Sequence, residues 1–479
     1  MDTKQLKQKI LDLAIRGKLV PQDPNDEPAS VLLERIRKEK EQLIAAGKLK
    51  KSKAKASDTP HYENVPFEIP DSWEWVTLPD LCTIPITDGT HQTPTYAEKQ
   101  DGIPFLSSKD VTTGKINWSD IKYITKELHQ ELYKRVAPQR NDILLAKNGT
   151  TGVAALVDTD IVFDIYVTLA LIRPVKYILP QYLLYVINSH FCKEQFNDHL
   201  TGIGLPNLHL RDINKTFIPL PPFEEQKRIV DKLNNWFEHI ENLDTNREEL
   251  QRFIQQTKSK ILSYAISGKL VSQDPSDEPA IDLLRRINPS FTPCDTSHYA
   301  NLPQGWCVGS LKEAGIEILN GYAFQSKNYV ADGIKVIRIT NVQDGYIVDD
   351  DPKYYPTSTE REIERYMLQE DDLLMSLTGN VGRVGFLPRK MLPAALNQRV
   401  GCIRGSEHVI SKKYLYYFLQ TDLFKTDCID SAKGVAQLNI STEWLKSYKM
   451  PIPPQSEQKR ITDKIEQIFT SIDKITAEL

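Results

Sequence analysis

The longest hydrophobic pattern in the chain lies in residues 221–270, PPFEEQKRIVDKLNNWFEHIENLDTNREELQRFIQQTKSKILSYAISGKL. Apolar residues recur there at steps of three and four, the spacing of one face of an α-helix. The members of this face are Ile229, Leu233, Phe237, Ile240, Leu250, Ile254, Ile261 and Ala265. Prolines at the start and Gly268 at the end predict one helix over 222–268, roughly 70 Å long. A helix of this length needs a partner helix, because a single apolar face cannot bury itself.

The partner is encoded at the two ends of the chain. Residues 453–479 repeat the first half of the predicted helix, and residues 6–37 repeat its second half with the segment that follows. The C-terminal segment followed by the N-terminal one therefore spells a second copy of the central helix. This circular repeat predicts that the two ends meet in space and lie antiparallel to the centre.

Two stretches of mixed pattern separate the helical copies. The first, residues 60–220, has the pattern of one mixed α/β domain, and its strand-like apolar runs cover 142–147, 153–157 and 161–172. Helices are predicted at 2–17, 28–46 and 180–197. The second stretch parallels the first at an offset near 231, since NDILLAKNGTTG answers to DDLLMSLTGNVG. The predicted fold class is α+β: two mixed α/β domains separated by long antiparallel helices, pairing as a coiled coil in a circularly permuted pseudo-twofold repeat.

These patterns predict the domain boundaries. The segments are an N-terminal helical repeat (1–37), a basic linker (38–59), a first mixed domain (60–220), the central helix with its connector (221–296), a second mixed domain (297–452) and a C-terminal helix (453–479). The linker overlaps a run from Arg35 to Lys55 with nine Lys or Arg against two Glu. Such a run favours a solvated linker, and an arm that contacts phosphates is the alternative.

Composition narrows the class of protein. The 479 residues are 40% apolar and 26% charged, as in an ordinary soluble protein. No apolar run has membrane-spanning length, and the first residues lack the apolar core of a signal peptide. The six cysteines, at 82, 192, 294, 307, 402 and 428, form no CxxC pair, which favours a reducing cytoplasm and argues against a structural zinc site. A net charge of −4 does not indicate a nucleic-acid binder, so a DNA-binding surface must be local or supplied by a partner.

Three pairs of segments carry a family resemblance. They are PLPPFEEQKRIVDKL (219–233) with PIPPQSEQKRITDKI (451–465), AISGKL (265–270) with AIRGKL (14–19), and the loops that end LPNL and QLNI. With the order of the domains, they make the chain resemble the specificity subunit of type I restriction–modification enzymes. The resemblance implies two target recognition domains, each reading one half of a split, asymmetric site on double-stranded DNA. It implies further that the helices space these domains and bind two adenine-N6 methyltransferase subunits, and that a nuclease/translocase subunit completes the complex in a bacterial or archaeal cytoplasm.

On this resemblance the chain is a non-catalytic subunit that holds no cofactor or metal. S-adenosylmethionine is expected in the methyltransferase partner, and ATP and Mg²⁺ in the nuclease partner. Two alternatives stay open: a protein-binding coiled-coil scaffold, and the specificity subunit of a methyltransferase that lacks a nuclease. The two mixed domains diverge between shared anchors, which suits two readers of different targets, but neutral drift after duplication leaves the same pattern.

Catalytic motifs are weak in this sequence. The E-Q-K segments at 225–227 and 457–459 match half of a metal-dependent nuclease site, but both fall in first helical turns, where Glu suits the helix dipole. The segment LPPF at 220–223 approaches the catalytic tetrapeptide of adenine methyltransferases, but Leu220 stands where Asn, Asp or Ser must bind the amino group. The sequence contains no GxxxxGK[ST] nucleotide loop and no HExxH pair.

Base readout requires side chains that reach base edges, Arg or Lys for guanine and Asn or Gln for adenine. Polar loops beside the predicted strands hold such residues, and their glycines let the backbone approach a phosphate. In the first domain the candidate DNA-contacting residues are Thr90, His91, Gln92, Ser108, Lys109, Lys147, Asn148, Thr150, Asn207, His209 and Arg211. In the second domain they are Tyr322, Gln325, Lys327, Arg338, Asn341, Thr378, Asn380, Arg383, Gln398, Arg399, Lys433, Gln437 and Asn439. The alternatives are that the loops are ordinary polar turns and that Tyr322 belongs to the core.

Overall fold

The computed structural model describes residues 2–46, 67–111, 114–197, 207–293, 299, 301–405, 408–432 and 438–477. The chain forms two compact units, residues 1–246 and residues 247–479, here called unit 1 and unit 2. Among the described residues, the helices all lack the combination of length and apolar character that crossing a bilayer requires.

Unit 1 begins with helices α1 (Thr3–Ile15) and α2 (Ala29–Ala45), close to the predicted positions. The Asp2 side chain caps the start of α1, and Gly17 follows its end with a φ of +66°. The other helices of the unit are α3 (Lys126–Arg135), α4 (Pro180–Asn188), α5 (His190–Asn197), α6 (Leu210–Ile213) and the first part of α7 (Phe223–Ile266). The basic run enters α2, and its residues 47–55 lie outside the described residues.

Helix α7 confirms the long helix that the sequence predicts. Its 44 residues are continuous, including residues 244–248, and correspond to about 66 Å. Within unit 1, α1 runs antiparallel to the first part of α7, because Lys7 pairs with Glu241 at 3.5 Å while Asp26, further along the chain, pairs with Arg228 at 2.5 Å. Ile229, along with other residues of the predicted face, is buried in the unit 1 core.

In the part of unit 1 that the structure describes, the strands form three sheets. Their bounds are β1 (Glu74–Thr77), β2 (Thr87–Asp88), β3 (Ile103–Leu106), β4 (Lys122–Ile124), β5 (Ile143–Ala146), β6 (Ala154–Leu156), β7 (Asp164–Ile165), β8 (Leu169–Ile172) and β9 (Phe217–Leu220). An antiparallel sheet has the order β2-β8-β5-β6, a second has the order β4-β3-β7 with β3 and β7 parallel, and β1 pairs with β9.

Strand β5 shows why this part of the chain reads as one apolar run. Ile143 and Leu145 face a core that contains Tyr182 and Val186 of α4. Leu144 and Ala146 face a second core, which lies beside β3. Successive side chains of a strand point to opposite faces, so a strand covered on both faces needs apolar residues throughout. The unit is therefore layered, with α4 and α5 on one face of the four-stranded sheet and the smaller sheet on the other.

Unit 2 repeats this arrangement strand for strand. Its strands are β10 (Cys307–Ser310), β11 (Ile316–Asn320), β12 (Ile334–Ile337), β13 (Tyr354–Tyr355), β14 (Leu373–Ser376), β15 (Val384–Phe386), β16 (Ala394–Leu396), β17 (Val400–Gly405) and β18 (Lys449–Ile452). The sheets have the orders β11-β17-β14-β15, β13-β12-β16 and β10-β18. The helices are the second part of α7 with α8 (Ala280–Ile287), α9 (Glu360–Ile363), α10 (Lys412–Leu419), α11 (Asp422–Ser431), α12 (Thr442–Ser447) and α13 (Gln455–Ala477). The shared skeleton that the anchors predict is confirmed.

The second part of α7 also has an antiparallel partner within unit 2. Lys258 pairs with Asp473 of α13 at 2.6 Å, and Asp277 pairs with Arg460 of α13 at 2.6 Å, so the two segments run in opposite directions. Each unit therefore pairs its share of the central helix with one end of the chain. The expectation that the two ends of the chain meet stays a prediction, as do the six segment boundaries.

Two elements differ from the sequence-based prediction. The run 161–172 is not one strand, because residues 166–168 turn between β7 and β8. The helix predicted over 180–197 is two helices, because Ser189 has an extended backbone between them. The Ser189 Oγ accepts a hydrogen bond from the Cys192 N–H at 3.4 Å, so this residue caps the new helix start, as serine does elsewhere.

The two E-Q-K segments have structural partners. Glu225 is buried, and its carboxylate accepts hydrogen bonds from Trp73 Nε1 at 2.9 Å and from Gln22 Nε2 at 2.6 Å. The same arrangement recurs in unit 2 with Glu457, Trp306 and Gln273. These bonds tie the start of each repeated helix to the strand region that precedes it.

Candidate nucleic-acid interface

Polar loops converge at one edge of the four-stranded sheet in unit 1. In an antiparallel sheet, the ends of β2 and β5 lie beside the beginnings of β8 and β6, so the loops at these positions share an edge. Backbone hydrogen bonds join them: Thr90 N–H to Ile165 O at 3.2 Å, Lys147 N–H to Thr168 O at 2.8 Å, and Leu208 N–H to Lys147 O at 2.9 Å. We call residues 88–92, 106–109, 147–152, 165–168 and 207–211 the unit 1 loop cluster.

Gly89 marks the tightest approach in this cluster. A Cβ atom added there would lie 1.9 Å from the carbonyl oxygen of Ile165, a distance that no side chain can tolerate. The first loop can therefore cross the end of β7 only with glycine at this position. Gly321 has the same role in unit 2, where an added Cβ would lie 2.2 Å from the backbone of Asn397.

Unit 2 has the equivalent cluster, with the same backbone connections. The Tyr322 N–H donates to Leu396 O at 2.8 Å, the Leu377 N–H to Arg399 O at 3.0 Å, and the Ile440 N–H to Leu377 O at 2.9 Å. We call residues 320–327, 337–341, 377–383, 396–399 and 438–440 the unit 2 loop cluster. All the sequence-predicted DNA-contacting residues that the structure describes lie in these two clusters. Lys433 and Gln437 lie outside the described residues.

Many of the candidate side chains are exposed. In unit 1 these are His91, Gln92, Lys109, Thr150 and Arg211, and in unit 2 they are Gln325, Lys327, Asn380, Gln398, Arg399 and Asn439. A second group is half-buried: Ser108, Asn148, Asn207, His209, Tyr322, Arg338, Thr378 and Arg383. As contacts with DNA, both groups remain a prediction.

Three candidates are buried and shape the loops. Thr90 is 6% exposed, and its hydroxyl accepts a hydrogen bond from the Gln92 N–H. Asn341 is 3% exposed. Its side chain accepts a hydrogen bond from the Arg338 N–H at 2.9 Å and donates one to the Val348 carbonyl oxygen at 3.0 Å. Lys147 is 6% exposed, and its ammonium points into the unit rather than outward. In this conformation their side chains are not accessible at the surface.

Lys147 is buried because a carboxylate lies beneath the loops. Its Nζ lies 2.6 Å from Asp88 Oδ2, and His91 Nε2 lies 3.3 Å from the other oxygen of the same carboxylate. Burial by itself raises the pKa of Asp88, but the hydrogen bonds from Lys147 and His91 outweigh it, so the pKa lies below its ordinary value. The sequence predicts that Lys147 is an exposed loop residue, but in the structure it forms a buried ion pair with Asp88.

Several half-buried candidates have neighbours within their own unit. Asn148 and Asn207 form a backbone bridge in unit 1, and their equivalents Thr378 and Asn439 form the same bridge in unit 2, with a hydroxyl-to-amide contact of 3.3 Å. Arg383 donates to the Gln343 side chain at 3.0 Å. These contacts hold the loops against each other while their outer residues stay accessible.

The aromatic candidate of unit 2 belongs to a ring cluster. Tyr322 packs edge-on against Phe324, with centroids 5.0 Å apart, and its ring lies 5.4 Å from that of Tyr366. Phe324 contacts Tyr355 at 4.8 Å. The rings of Tyr322 and Phe324 are half-buried, so they lie between the core and the loop surface.

One cluster segment of unit 1 was missed from the sequence. Residues 166–168 occupy the position of Asn397–Arg399 in unit 2, but in the sequence they sit inside an apolar run and read as strand. The constant offset between the two domains was the signal that could have found them, since position 397 less 231 is position 166.

Comparison with known proteins agrees with this architecture. The family described as "Type I restriction modification DNA specificity domain" matches residues 70–252 and 303–479. The EcoAI specificity subunit of Escherichia coli is 30% identical over 98% of this chain and 90% of its own length. The EcoEI specificity subunit of Escherichia coli is 28% identical over 99% of this chain and 90% of its own length.

A solved structure supports the fold. A chain from a structure of complex assembly and conformational transition in the type I R-M system covers 86% of this chain and 94% of its own, with a TM-score of 0.57 and 20% identity. The two matched segments lie mainly in unit 1 and in unit 2, and they contain every residue of both loop clusters. The chain therefore belongs to the DNA specificity subunits of type I restriction–modification systems, which recognise the DNA target and leave catalysis to partner subunits.

Proposed function

We propose that this subunit reads a bipartite DNA target, with one loop cluster for each half-site. One observation supports this most directly: the two clusters share their backbone hydrogen bonds and differ in the side chains they expose. A common frame with different exposed groups suits two readers of unlike base sequences. The same frame would also position both readers in the same way relative to the sheets that support them.

The exposed groups have the chemistry that base readout requires. Gln92, Gln325 and Gln398 can pair with adenine edges, while Arg211 and Arg399 have the fork that matches guanine. Each good bidentate pair contributes about 1–3 kcal/mol of discrimination. The loops are held by sheet ends, so little conformational entropy is lost when these side chains engage a duplex.

The proposal extends to the partners of the complex. Two adenine-N6 methyltransferase subunits dock on the helical repeats and bind S-adenosylmethionine, and a nuclease/translocase subunit binds ATP and Mg²⁺. The methyltransferases flip the target adenine out of the duplex, because its amino group is not accessible within the stack. Helix α7 contributes to both units, and its length sets the gap between the half-sites. The complex acts in a bacterial or archaeal cytoplasm, where the DNA is.

The test is an exchange of one domain. The chain is produced with its methyltransferase partner, and N6-methyladenine is mapped across the host genome to give both half-sites and the gap between them. Residues 297–452 are then replaced by the same segment of a relative, and in a matched variant residues 60–220 are replaced. Each exchange should alter one half-site and leave the other half and the gap unchanged.

Two outcomes would contradict the proposal. If either exchange changed both half-sites together, the two loop clusters would not be independent readers. If the purified complex bound all duplexes alike, or bound no duplex at any salt concentration, a protein-binding scaffold would be the better description. Adding the nuclease partner with ATP and Mg²⁺ and scoring cleavage of an unmethylated target separates a restricting complex from a methyltransferase that acts alone.

A further inference from the structure

Each unit places one arginine beside its loop cluster that the loop sequences do not include. Arg135 is the last residue of α3, and Arg365 follows α9. The two positions are equivalent. Arg135 precedes Asp142 by the same number of residues as Arg365 precedes Asp372, so one offset of 230 relates both pairs. Those two aspartates cap equivalent turns, accepting hydrogen bonds from the backbone N–H groups of the residues three positions before them at 2.9 and 2.7 Å.

Arg135 is anchored to the first segment of the unit 1 loop cluster. Its Nη2 lies 3.4 Å from Asp88 Oδ1, and its Nη1 lies 3.5 Å from the carbonyl oxygen of Gly89. The side chain is 53% exposed, so the guanidinium is held from one side and open to solvent on the other. Lys147 shares the same carboxylate, so the side chains of Arg135 and Lys147 both face Asp88.

Arg365 is anchored by rings instead of a carboxylate. Its guanidinium lies 4.6 Å from the centroid of Tyr366 and donates a hydrogen bond to the hydroxyl of that residue. The Tyr366 ring packs against Tyr322, which belongs to the first segment of the unit 2 loop cluster. Arg365 is exposed. The first segment of the loop cluster therefore positions the arginine in both units, directly in unit 1 and through Tyr366 in unit 2.

An arginine is present in both units, but the pair of Asp88 and Lys147 beside it in unit 1 is replaced by different residues in unit 2. Asp88 pairs with Ala170 across the sheet, and its equivalent Asn320 pairs with Gly401. Lys147 is likewise replaced by Leu377, which is 4% exposed. Both members of the buried charge pair are thus neutral in unit 2, as expected because a single buried charge would be costly. Neither replacement by itself requires an arginine at position 365.

Resting on the proposed function, we infer that Arg135 and Arg365 are a further pair of target-reading residues, one for each half-site, each donating to the edge of a guanine. A guanidinium presents a planar fork that matches guanine O6 and N7, and anchoring on one side fixes the plane of the fork in advance. Asp88 offsets part of the charge of Arg135. The attraction of the guanidinium to DNA phosphates, which does not depend on sequence, is therefore weakened, and a directed hydrogen bond to a base is favoured in comparison. Asp88 and Tyr366 are positioning residues in this arrangement.

The test uses the assembled complex with its methyltransferase partner and a target established by methylation mapping. Binding is measured for the target duplex and for duplexes that change one base pair at a time, at two salt concentrations. Arg135→Ala should weaken binding to the target by about tenfold to a hundredfold and should remove the preference for guanine at one position of one half-site. Arg365→Ala should do the same at one position of the other half-site.

Matched variants separate charge from readout. Arg135→Lys keeps the charge but not the fork, so it should lose the base preference while it keeps most of the sequence-independent affinity. Arg140→Ala and Arg389→Ala remove exposed arginines that pair with Asp160 and Glu370 and lie outside the loop clusters, so target binding should not change. Thermal melting of each variant should lie close to that of the parent, because the substituted side chains are exposed and Asp88 keeps its contact with Lys147 when Arg135 is removed.

Each contrary result has a definite meaning. Equal weakening on every duplex, with a smaller dependence on salt, would make the arginines phosphate contacts and would overturn the assignment to guanine. Unchanged affinity and unchanged base preference would also overturn it, while the bipartite reading by the parent complex would stand. If the parent complex itself showed no preference among duplexes, the proposed function would fail first.

Discussion

The buried ion pair between Asp88 and Lys147 allows a sharp stability prediction for unit 1. The Lys147 Nζ lies 2.6 Å from Asp88 Oδ2, and each side chain is only 7% exposed. Unit 2 has Asn320 and Leu377 at these positions, so the same fold accommodates a neutral pair. The informative set is therefore Asp88→Asn, Lys147→Leu and the variant with both changes.

The expected magnitudes follow from the cost of an unpaired buried charge. Removing one partner of a buried pair costs about 3–5 kcal/mol, whereas replacing both by neutral residues is often close to neutral. Asp88→Asn leaves Lys147 beside Arg135, so its effect should be the largest. Lys147→Leu leaves Asp88 with His91 and Arg135 still within 3.4 Å, which compensates part of its charge. The double variant should lie within about 1 kcal/mol of the parent.

Thermal unfolding of the full chain, followed by circular dichroism, measures these effects. A change of 1 kcal/mol shifts the Tm of a unit of 150–250 residues by about 2–4 °C, so Asp88→Asn should lower the Tm of unit 1 by about 6–20 °C. Arg140→Leu is the control, since this arginine is exposed and pairs with the exposed Asp160. If the double variant melted as low as Asp88→Asn, the loss could not be attributed to an uncompensated charge, and the reasoning would be refuted.

Three further predictions follow from the fold. Burial raises the pKa of Glu225, although hydrogen bonds from Trp73 and Gln22 oppose the rise, so the folded chain keeps this proton to a higher pH than the unfolded chain. The stability that this group contributes is present below its ordinary pKa of 4.5 and is lost as the pH rises through the raised pKa. Glu225→Gln should therefore make the Tm fall less steeply above pH 4.5. An unchanged slope of Tm against pH would contradict this. Gly89→Ala should abolish recognition of the unit 1 half-site in a methylation map while the other half is still read, whereas Gly114→Asn, with open space around it, should leave both halves intact. Four residues inserted into α7 and into its second copy should widen the gap between half-sites by about 6 Å, or roughly two base pairs, and a change in the bases recognised would refute this role of the helix.

The loop clusters show where inference from sequence stops. Polar loops beside strands were sufficient to find segments that the fold brings to one edge in each unit. They did not reveal that Lys147 points inward, because its partner Asp88 lies 59 positions earlier in the chain. They also missed residues 166–168, whose composition is that of a strand, and the contact of Arg135, on a helix, with Asp88 in the first loop.

The local pattern of residues determined the long helix, its repeated copy, the paired mixed domains and the family. These properties follow from apolar spacing and from segments that recur within the chain, and both can be read without knowing which distant residues meet. The tertiary structure alone decided which loops share an edge, which candidate side chains face outward, and which charges neutralise each other inside a unit. Those outcomes depend on hydrogen bonds and ion pairs between residues far apart in sequence, such as the bond from Thr90 to Ile165 and the one from Leu208 to Lys147, and no local pattern encodes them.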